Sequence, residues 1–242
     1  MLMPLEILPG SYCGAAPLPA QALLVWNLDP LLLAVLALAA LIVRRSPQGL
    51  AGVAVLAVAF VSPICAVSVA LFSARVVHHV LLVAVAAPLL AAALPRRAAH
   101  PGLAFLVSTA VLWGWHQPAA YDAALGDIAV YWLMQTTLLA SAIWFWRAVL
   151  SAAVGIEAVL WALAGLMQMG ALGALLTFAP APLYAAHALA PLDWGLTPLA
   201  DQQLGGLIMW VPAMLPYLAM IALLARRSWQ AAANPGRGQG AA

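Results

Sequence analysis

Long apolar stretches alternate with short segments of Arg, Pro, Gly and Asp along most of the chain. A helix that crosses a bilayer needs about 20 mainly apolar residues, and seven stretches approach or exceed that length: 28–43, 50–71, 74–94, 103–118, 128–149, 157–179 and 204–225. The first is the shortest, and Asp29-Pro30 near its start is typical of a helix cap followed by proline at the first helical position. The pattern predicts an all-α fold, a polytopic membrane bundle of about seven transmembrane helices.

Composition supports a membrane protein and excludes several other classes. Of the 242 residues, 67% are hydrophobic and only 7% are charged, whereas soluble domains carry roughly a quarter charged residues. The formal net charge of +2 provides too few cations for a nucleic-acid partner. Two cysteines are too few for a disulfide scaffold or a zinc ribbon. The surface of this protein is therefore expected to face lipid.

The arginines predict how the helices are oriented. All nine basic residues are arginines, and eight follow or close alternate predicted helices: Arg44, Arg45, Arg96, Arg97, Arg147, Arg226, Arg227 and Arg237. With seven helices these eight share one side, which the positive-inside rule makes cytoplasmic. The N-terminus then lies outside, together with five of the acidic residues: Glu6, Asp122, Asp127, Asp193 and Asp201. We expect one membrane domain over 1–227 and a polar, disordered cytoplasmic tail over 228–242.

Polar side chains gather in the outer halves of the predicted helices. Arg75 begins the helix 74–94, with His78 and His79 one turn further in, and His116 ends the helix 103–118. The others lie near the outer ends of the remaining helices or in the outer loops: Asp122, Tyr131, Met134, Gln135, His187, Asp201, Gln202 and Met209. Polar groups in apolar helices are costly and usually have a task. We therefore expect any functional site to face outward.

Imidazole and thioether groups together favour copper, since thioether sulfur prefers copper(I). We expect His79 and His116 to converge across two helices beneath the segment Asp201–Gln202, with sulfur from Met134 or Met209. The alternative is structural: a helix-end histidine often satisfies a loop carbonyl, and methionines in apolar helices usually pack. The sequence does not fix the distance between Cys13 and Cys65, so their pairing stays open.

Arg75 is the one arginine on the outward side. Its available counter-charges are Asp201 and Asp122, and a buried charge at a helix junction requires such a partner. The alternative is that its head group extends to the lipid headgroups.

Enzyme signatures are missing from the chain. It has no Ser–His–Asp arrangement, no pair of carboxylates on one helix and no Gly-rich phosphate loop, so we do not expect an enzyme. Pro63, Pro88, Pro212 and Pro216 can kink helices, which leaves a small-solute transporter as an alternative. A midplane nearly free of ionisable groups argues against that alternative.

Several motifs carry a family resemblance. The stretches LFSARVVHHVLLVAVAAPLL (71–90), WGWHQPAAYDAAL (113–125), YWLMQTTLLASAIWFWRAV (131–149) and DQQLGGLIMWVP (201–212), with WNLDP (26–30) and PLYA (182–185), resemble the CtaG-type cytochrome c oxidase assembly factors. The resemblance implies a multi-pass protein of the bacterial cytoplasmic membrane. It also implies that copper is delivered to a haem–copper oxidase at the periplasmic face, with oxidase subunits and a periplasmic copper donor as partners.

The chain departs from the family at its histidines. The family usually reads LFSAHMxQH in the third helix, and Arg75 stands here in place of the first histidine while His79 matches the second. A second His-x-x-x-His pair of the family is replaced by Tyr131 and Gln135. Arginine cannot ligate a metal, so the resemblance leaves His79 and His116, with His78 as a local substitute. A metal-free paralogue that acts as a scaffold or accessory subunit of the oxidase is the alternative.

Overall fold

The computed structural model of the protein describes residues 11–95, 100–151 and 156–233, and all regular secondary structure in these ranges is helical. The helices are α1 (Pro30–Val43), α2 (Pro47–Val61), α3 (Ile64–Ala70), α4 (Phe72–Ala93), α5 (Pro101–Trp115), α6 (Pro118–Gly126), α7 (Ile128–Ser151), α8 (Ile156–Thr177), α9 (Ala190–Asp193), α10 (Pro198–Trp210) and α11 (Met214–Ala233). The predicted all-α fold is confirmed. Glu6, Arg96, Arg97, Arg237 and the tail from 234 onward lie outside the described residues.

Four helical segments in the described ranges are long and apolar enough to cross a membrane: Phe72–Ala93, Ile128–Ser151, Ile156–Thr177 and Pro198–Gln230. The pair α2 and α3 forms a fifth candidate if a span bent by 47° is counted, and α1 and α5 are shorter apolar helices. The described structure therefore contains four or five candidate spans. The count of seven and the side on which each terminus lies remain predictions.

Proline shapes two of these helices, as the sequence predicts. The chain breaks between α2 and α3 at Ser62 and Pro63. Within α4, a π-helical turn over Leu81–Ala86 precedes Pro88, and the Ala87 N–H donates to the carbonyl of Leu82. In that register the Val83 carbonyl would need an N–H from Pro88, which has none. The buried indole of Trp146 donates to the Val83 oxygen instead, at 3.0 Å.

The predicted last helix, 204–225, differs from the structure at both ends. The predicted start at 204 is wrong, because Thr197 caps a helix that begins at Pro198 and accepts a hydrogen bond from the Ala200 N–H. Asp201 and Gln202 therefore lie in the first turns of α10 rather than before it. At the other end α11 continues to Ala233, so residues 228–233 are helical and not disordered. The short helix α6 was not predicted.

Two consecutive glycines bring α10 against two neighbours at once. A Cβ atom on Gly205 would lie 2.5 Å from the Phe72 ring of α4, and one on Gly206 would lie 2.5 Å from the Thr177 nitrogen of α8. Small residues permit such close backbone approach between membrane helices. This contact places the beginning of α10 beside the beginning of α4. At the opposite end the Arg147 guanidinium donates two hydrogen bonds to the Pro95 carbonyl, so α4 and α7 also end together.

Candidate functional site

The candidate site lies where α4, α7 and α10 begin and α5 ends. We call this the outer end, following the predicted orientation. Asp201 of α10 joins two of these helices: its carboxylate accepts from the Phe72 N–H at 2.6 Å and the Ser73 N–H at 3.1 Å, and also from the Ser73 hydroxyl. The residue before α4 is Leu71, whose side chain cannot cap a helix. Asp201 therefore caps α4 from another helix, where a negative charge also complements the helix dipole.

The loop between α8 and α10 is held over the outer end by side chains of α6 and α10 and by one of its own side chains. Asp122 accepts from the N–H groups of Ala185 and Ala186, at 3.2 and 3.1 Å. The Gln202 carbonyl accepts from the Leu183 N–H at 2.6 Å, and the Tyr184 hydroxyl donates to the His116 carbonyl at 3.0 Å. The polar residues predicted near His116 therefore position this loop. The sequence carried no signal for the role of Tyr184 beyond its place in the PLYA motif.

Both ring nitrogens of His187, in that loop, have hydrogen-bond partners within the protein, so His187 is structural and not a ligand. Its Nδ1 lies 3.3 Å from the Ala70 carbonyl and its Nε2 lies 2.8 Å from the Tyr121 hydroxyl. A carbonyl can only accept, so Nδ1 carries the hydrogen and Nε2 accepts from Tyr121. Burial, with a smaller contribution from the charge of Arg75, lowers the pKa of His187 to about 3. The ring is therefore neutral at physiological pH.

The N-terminal segment is attached to the same end by a disulfide between Cys13 and Cys65. The Tyr12 ring stacks on Tyr131 at 5.3 Å between centroids, and its hydroxyl donates to Asp29 at 2.6 Å. The sequence left the pairing of the two cysteines open, because their separation of 52 residues does not determine their distance in the fold. With both sulfurs in the disulfide, neither cysteine is a thiolate ligand here.

The predicted approach of His79 and His116 is confirmed, with their ring centroids 6.0 Å apart. Both side chains are buried, at 3% and 6% exposure. The ring centroids of His78 and His79 lie 5.8 Å apart, but the His78 ring packs against Phe60. The two facing imidazoles thus come from α4 and from the end of α5.

The hydrogen bonds of these histidine rings leave some ring nitrogens with a free lone pair. His116 Nδ1 lies 2.7 Å from the Leu112 carbonyl, so Nδ1 carries the hydrogen and Nε2 keeps its lone pair. A hydrogen bond of this kind also fixes the orientation of ligand imidazoles at metal sites. Both nitrogens of His79, and both of His78, have no hydrogen-bond partner among the described residues. His116 thus satisfies a backbone carbonyl with one nitrogen, whereas His79 satisfies none among the described residues.

Arg75 departs most from the prediction. It is completely buried, so it does not reach the headgroups, and it pairs with neither Asp201 nor Asp122. Those carboxylates instead accept hydrogen bonds from backbone N–H groups. The Arg75 Cζ lies 5.4 Å from the centroid of the Tyr131 ring. All three guanidinium nitrogens have no hydrogen-bond partner in the described part of the chain.

The remaining predicted residues line the same region. Tyr131, Met134 and Gln135 of α7 are buried, as is Met209 of α10. Within the described ranges, no three His, Cys, Asp or Glu side chains lie close enough to hold a metal ion. On the other side of Gln135 an apolar groove of about 410 Å³ lies between α1, α2 and α7. The sequence offered no signal for this groove.

A sequence model described as cytochrome c oxidase caa3 assembly factor (Caa3_CtaG) matches residues 96–231, more than half of the chain. The match includes His116 and the helices α5 to α11, and it begins after Arg75, His78 and His79. No curated protein and no solved structure matches the chain. On this match the chain belongs to the caa3 assembly-factor family, and it is a cytochrome c oxidase assembly factor.

Proposed function

We propose that this assembly factor assists the delivery of copper to a haem–copper oxidase, and that His79 and His116 hold the ion in transit. The observation that carries the proposal is the pair of buried imidazoles 6.0 Å apart. Metal–nitrogen bonds of roughly 2 Å to each ring are compatible with one ion shared between two rings at this separation. The proposed role is non-catalytic, with copper as cargo rather than as a resident cofactor.

The small number of ligands suits a transfer role. Imidazole is a good copper ligand, and a thioether from Met134 or Met209 would favour the copper(I) state. Two histidines leave coordination positions open for the ligands of a donor or an acceptor. His78 is the nearest further imidazole, and a rotation away from Phe60 would bring it toward the ion.

Two independent features support a periplasmic location for this site. The arginine pattern predicts that the outer end lies opposite the cytoplasm. The disulfide between Cys13 and Cys65 lies at the same end, and disulfides persist in oxidising compartments such as the bacterial periplasm. We therefore propose a multi-pass protein of the bacterial inner membrane whose partners are oxidase subunits and a periplasmic copper donor.

A second candidate function is a metal-free scaffold or accessory subunit of the oxidase. The observation that favours it is the cation of Arg75, one helical turn from His79, which opposes a bound copper ion. In this alternative the outer end would contact oxidase subunits without handling metal.

Copper stoichiometry on the purified protein tests the proposal. We expect one copper(I) per chain after loading with ascorbate as reductant, and loss of that copper in His79→Ala and in His116→Ala. His100→Ala is the matched control, because His100 is exposed at the start of α5, at the other end of the bundle. Copper that survives both site substitutions would place the ion elsewhere. A protein that binds no copper yet co-purifies with oxidase subunits would support the scaffold.

A further inference from the structure

Arg75 is a permanent positive charge in the interior of the bundle. Its side chain is 0% exposed, and its Nε, Nη1 and Nη2 atoms have no hydrogen-bond partner among the described residues. A guanidinium cannot lose its proton in a protein, and an unpaired buried charge is strongly destabilising. The cation–π contact with Tyr131 offsets only part of that penalty.

The two carboxylates near Arg75 in the fold, those of Asp201 and Asp122, already accept other hydrogen bonds. Asp201 accepts from two backbone N–H groups and a hydroxyl of α4, and Asp122 accepts from two N–H groups of the loop above. Moving Asp201 to Arg75 would leave the buried donors of Phe72 and Ser73 unsatisfied. Moving Asp122 would release the loop segment whose N–H groups it binds. No carboxylate in the described ranges therefore bonds to Arg75, and its counter-charge lies elsewhere.

The surroundings of Arg75 supply donors for such a counter-charge. Gln135 is 1% exposed, and its amide nitrogen and oxygen have no partner in the described structure. The Tyr131 hydroxyl, which also lies 3.5 Å from the Cys13 sulfur, is close to both Arg75 and Gln135. Together these groups present N–H and O–H donors around one positive charge, the combination that binds an anion.

We propose that Arg75, Tyr131 and Gln135 form an internal binding site for a small monovalent inorganic anion such as chloride. The complete burial of Arg75 excludes a carboxylate on a partner protein or a lipid phosphate, because neither could reach it. One guanidinium neutralises one negative charge. His187 contributes no further positive charge, because its ring is neutral. The site is independent of copper: it can be filled whether the histidine pair binds metal or not.

Thermal unfolding of the full-length protein in detergent tests this site. Chloride is titrated against gluconate, which is too large for a buried site, at constant ionic strength and without copper. We expect Tm to rise saturably by several degrees with chloride, since a ligand that binds only the folded state stabilises it. Arg75→Gln should abolish the rise, and Gln135→Leu should shift it to higher chloride concentration. Arg44→Gln, a substitution of an exposed arginine, should leave it unchanged.

Direct binding to the wild-type chain keeps the test independent of how the variants fold. We expect radiolabelled chloride to bind at one ion per chain in equilibrium dialysis and to be displaced by bromide. No chloride binding and no rise in Tm would overturn the site and would mean that Glu6 or water compensates the charge of Arg75 instead. A rise that persists in Arg75→Gln would also overturn it, because the anion would then bind elsewhere.

Discussion

Asp201→Ala removes the carboxylate that caps α4, and we expect it to be among the most destabilising single substitutions in this chain. The buried N–H groups of Phe72 and Ser73 and the Ser73 hydroxyl would lose their acceptor. An unsatisfied buried donor costs roughly 1–3 kcal/mol, so three of them predict a loss of about 3–9 kcal/mol. For a chain of this length that corresponds to a fall in Tm of roughly 10 °C or more.

Thermal unfolding in detergent, followed by circular dichroism, measures this loss. Thr197→Ala is the matched control, because it removes an exposed cap from α10 that accepts a single N–H, and it should cost about 1 kcal/mol. Asp201→Asn keeps one acceptor oxygen and should fall between the two. If Asp201→Ala is no more destabilising than Thr197→Ala, the assigned cap is wrong.

A double-mutant cycle distinguishes the cap from the ion pair that the sequence suggested. The structure predicts that Arg75→Gln and Asp201→Asn couple by less than about 3 kcal/mol, because Asp201 bonds to Ser73 and not to the Arg75 guanidinium. A direct ion pair between the two side chains would instead couple them by several kcal/mol, roughly 3–5. A coupling of that size would contradict a carboxylate that bonds only to the first turn of α4.

Three further predictions concern charge, the disulfide and pH. If copper binds at His79 and His116, Arg75→Gln should raise copper(I) affinity in chloride-free buffer about 100-fold. The reason is that repulsion between the two charges across roughly 6 Å, at an effective dielectric constant of about 20, is about 3 kcal/mol. Competition with a copper(I) chelator measures the affinity, and an unchanged value would refute the repulsion. Reduction of the bond between Cys13 and Cys65 should lower stability by about 2–4 kcal/mol, and Tm of the double serine variant should not respond to reductant. The pKa of His187 is lower in the folded chain, about 3, than its usual 6.5, so the unfolded state binds more protons between these values. Stability should therefore fall as pH drops from 6.5 toward 3, and His187→Gln should flatten that dependence in acid-unfolding curves; an unaltered curve would contradict the burial of a neutral ring.

The residue pattern by itself was sufficient for the class, for most helices and for the end of the bundle that holds the site. An apolar chain in lipid must satisfy its backbone internally, so long apolar stretches can only be helices here. Local chemistry also determined the Asp29 cap, where the Leu31 N–H donates at 2.8 Å, and the distortions at Pro63 and Pro88. His79 and His116 could be placed together because the beginning of one predicted helix and the end of the next lie at the same, outer end of the bundle.

Only the tertiary structure decided which polar groups pair. From the sequence, Asp201 was expected to pair with Arg75. Packing at Gly205 and Gly206 brings the carboxylate to the uncapped N–H groups of Phe72 and Ser73. The pairing of Cys13 with Cys65 depends in the same way on how the N-terminal segment folds over α7. Helices follow from contacts within a few residues, whereas the partner of a buried charge follows from competition between donors far apart in the chain, and packing settles that competition.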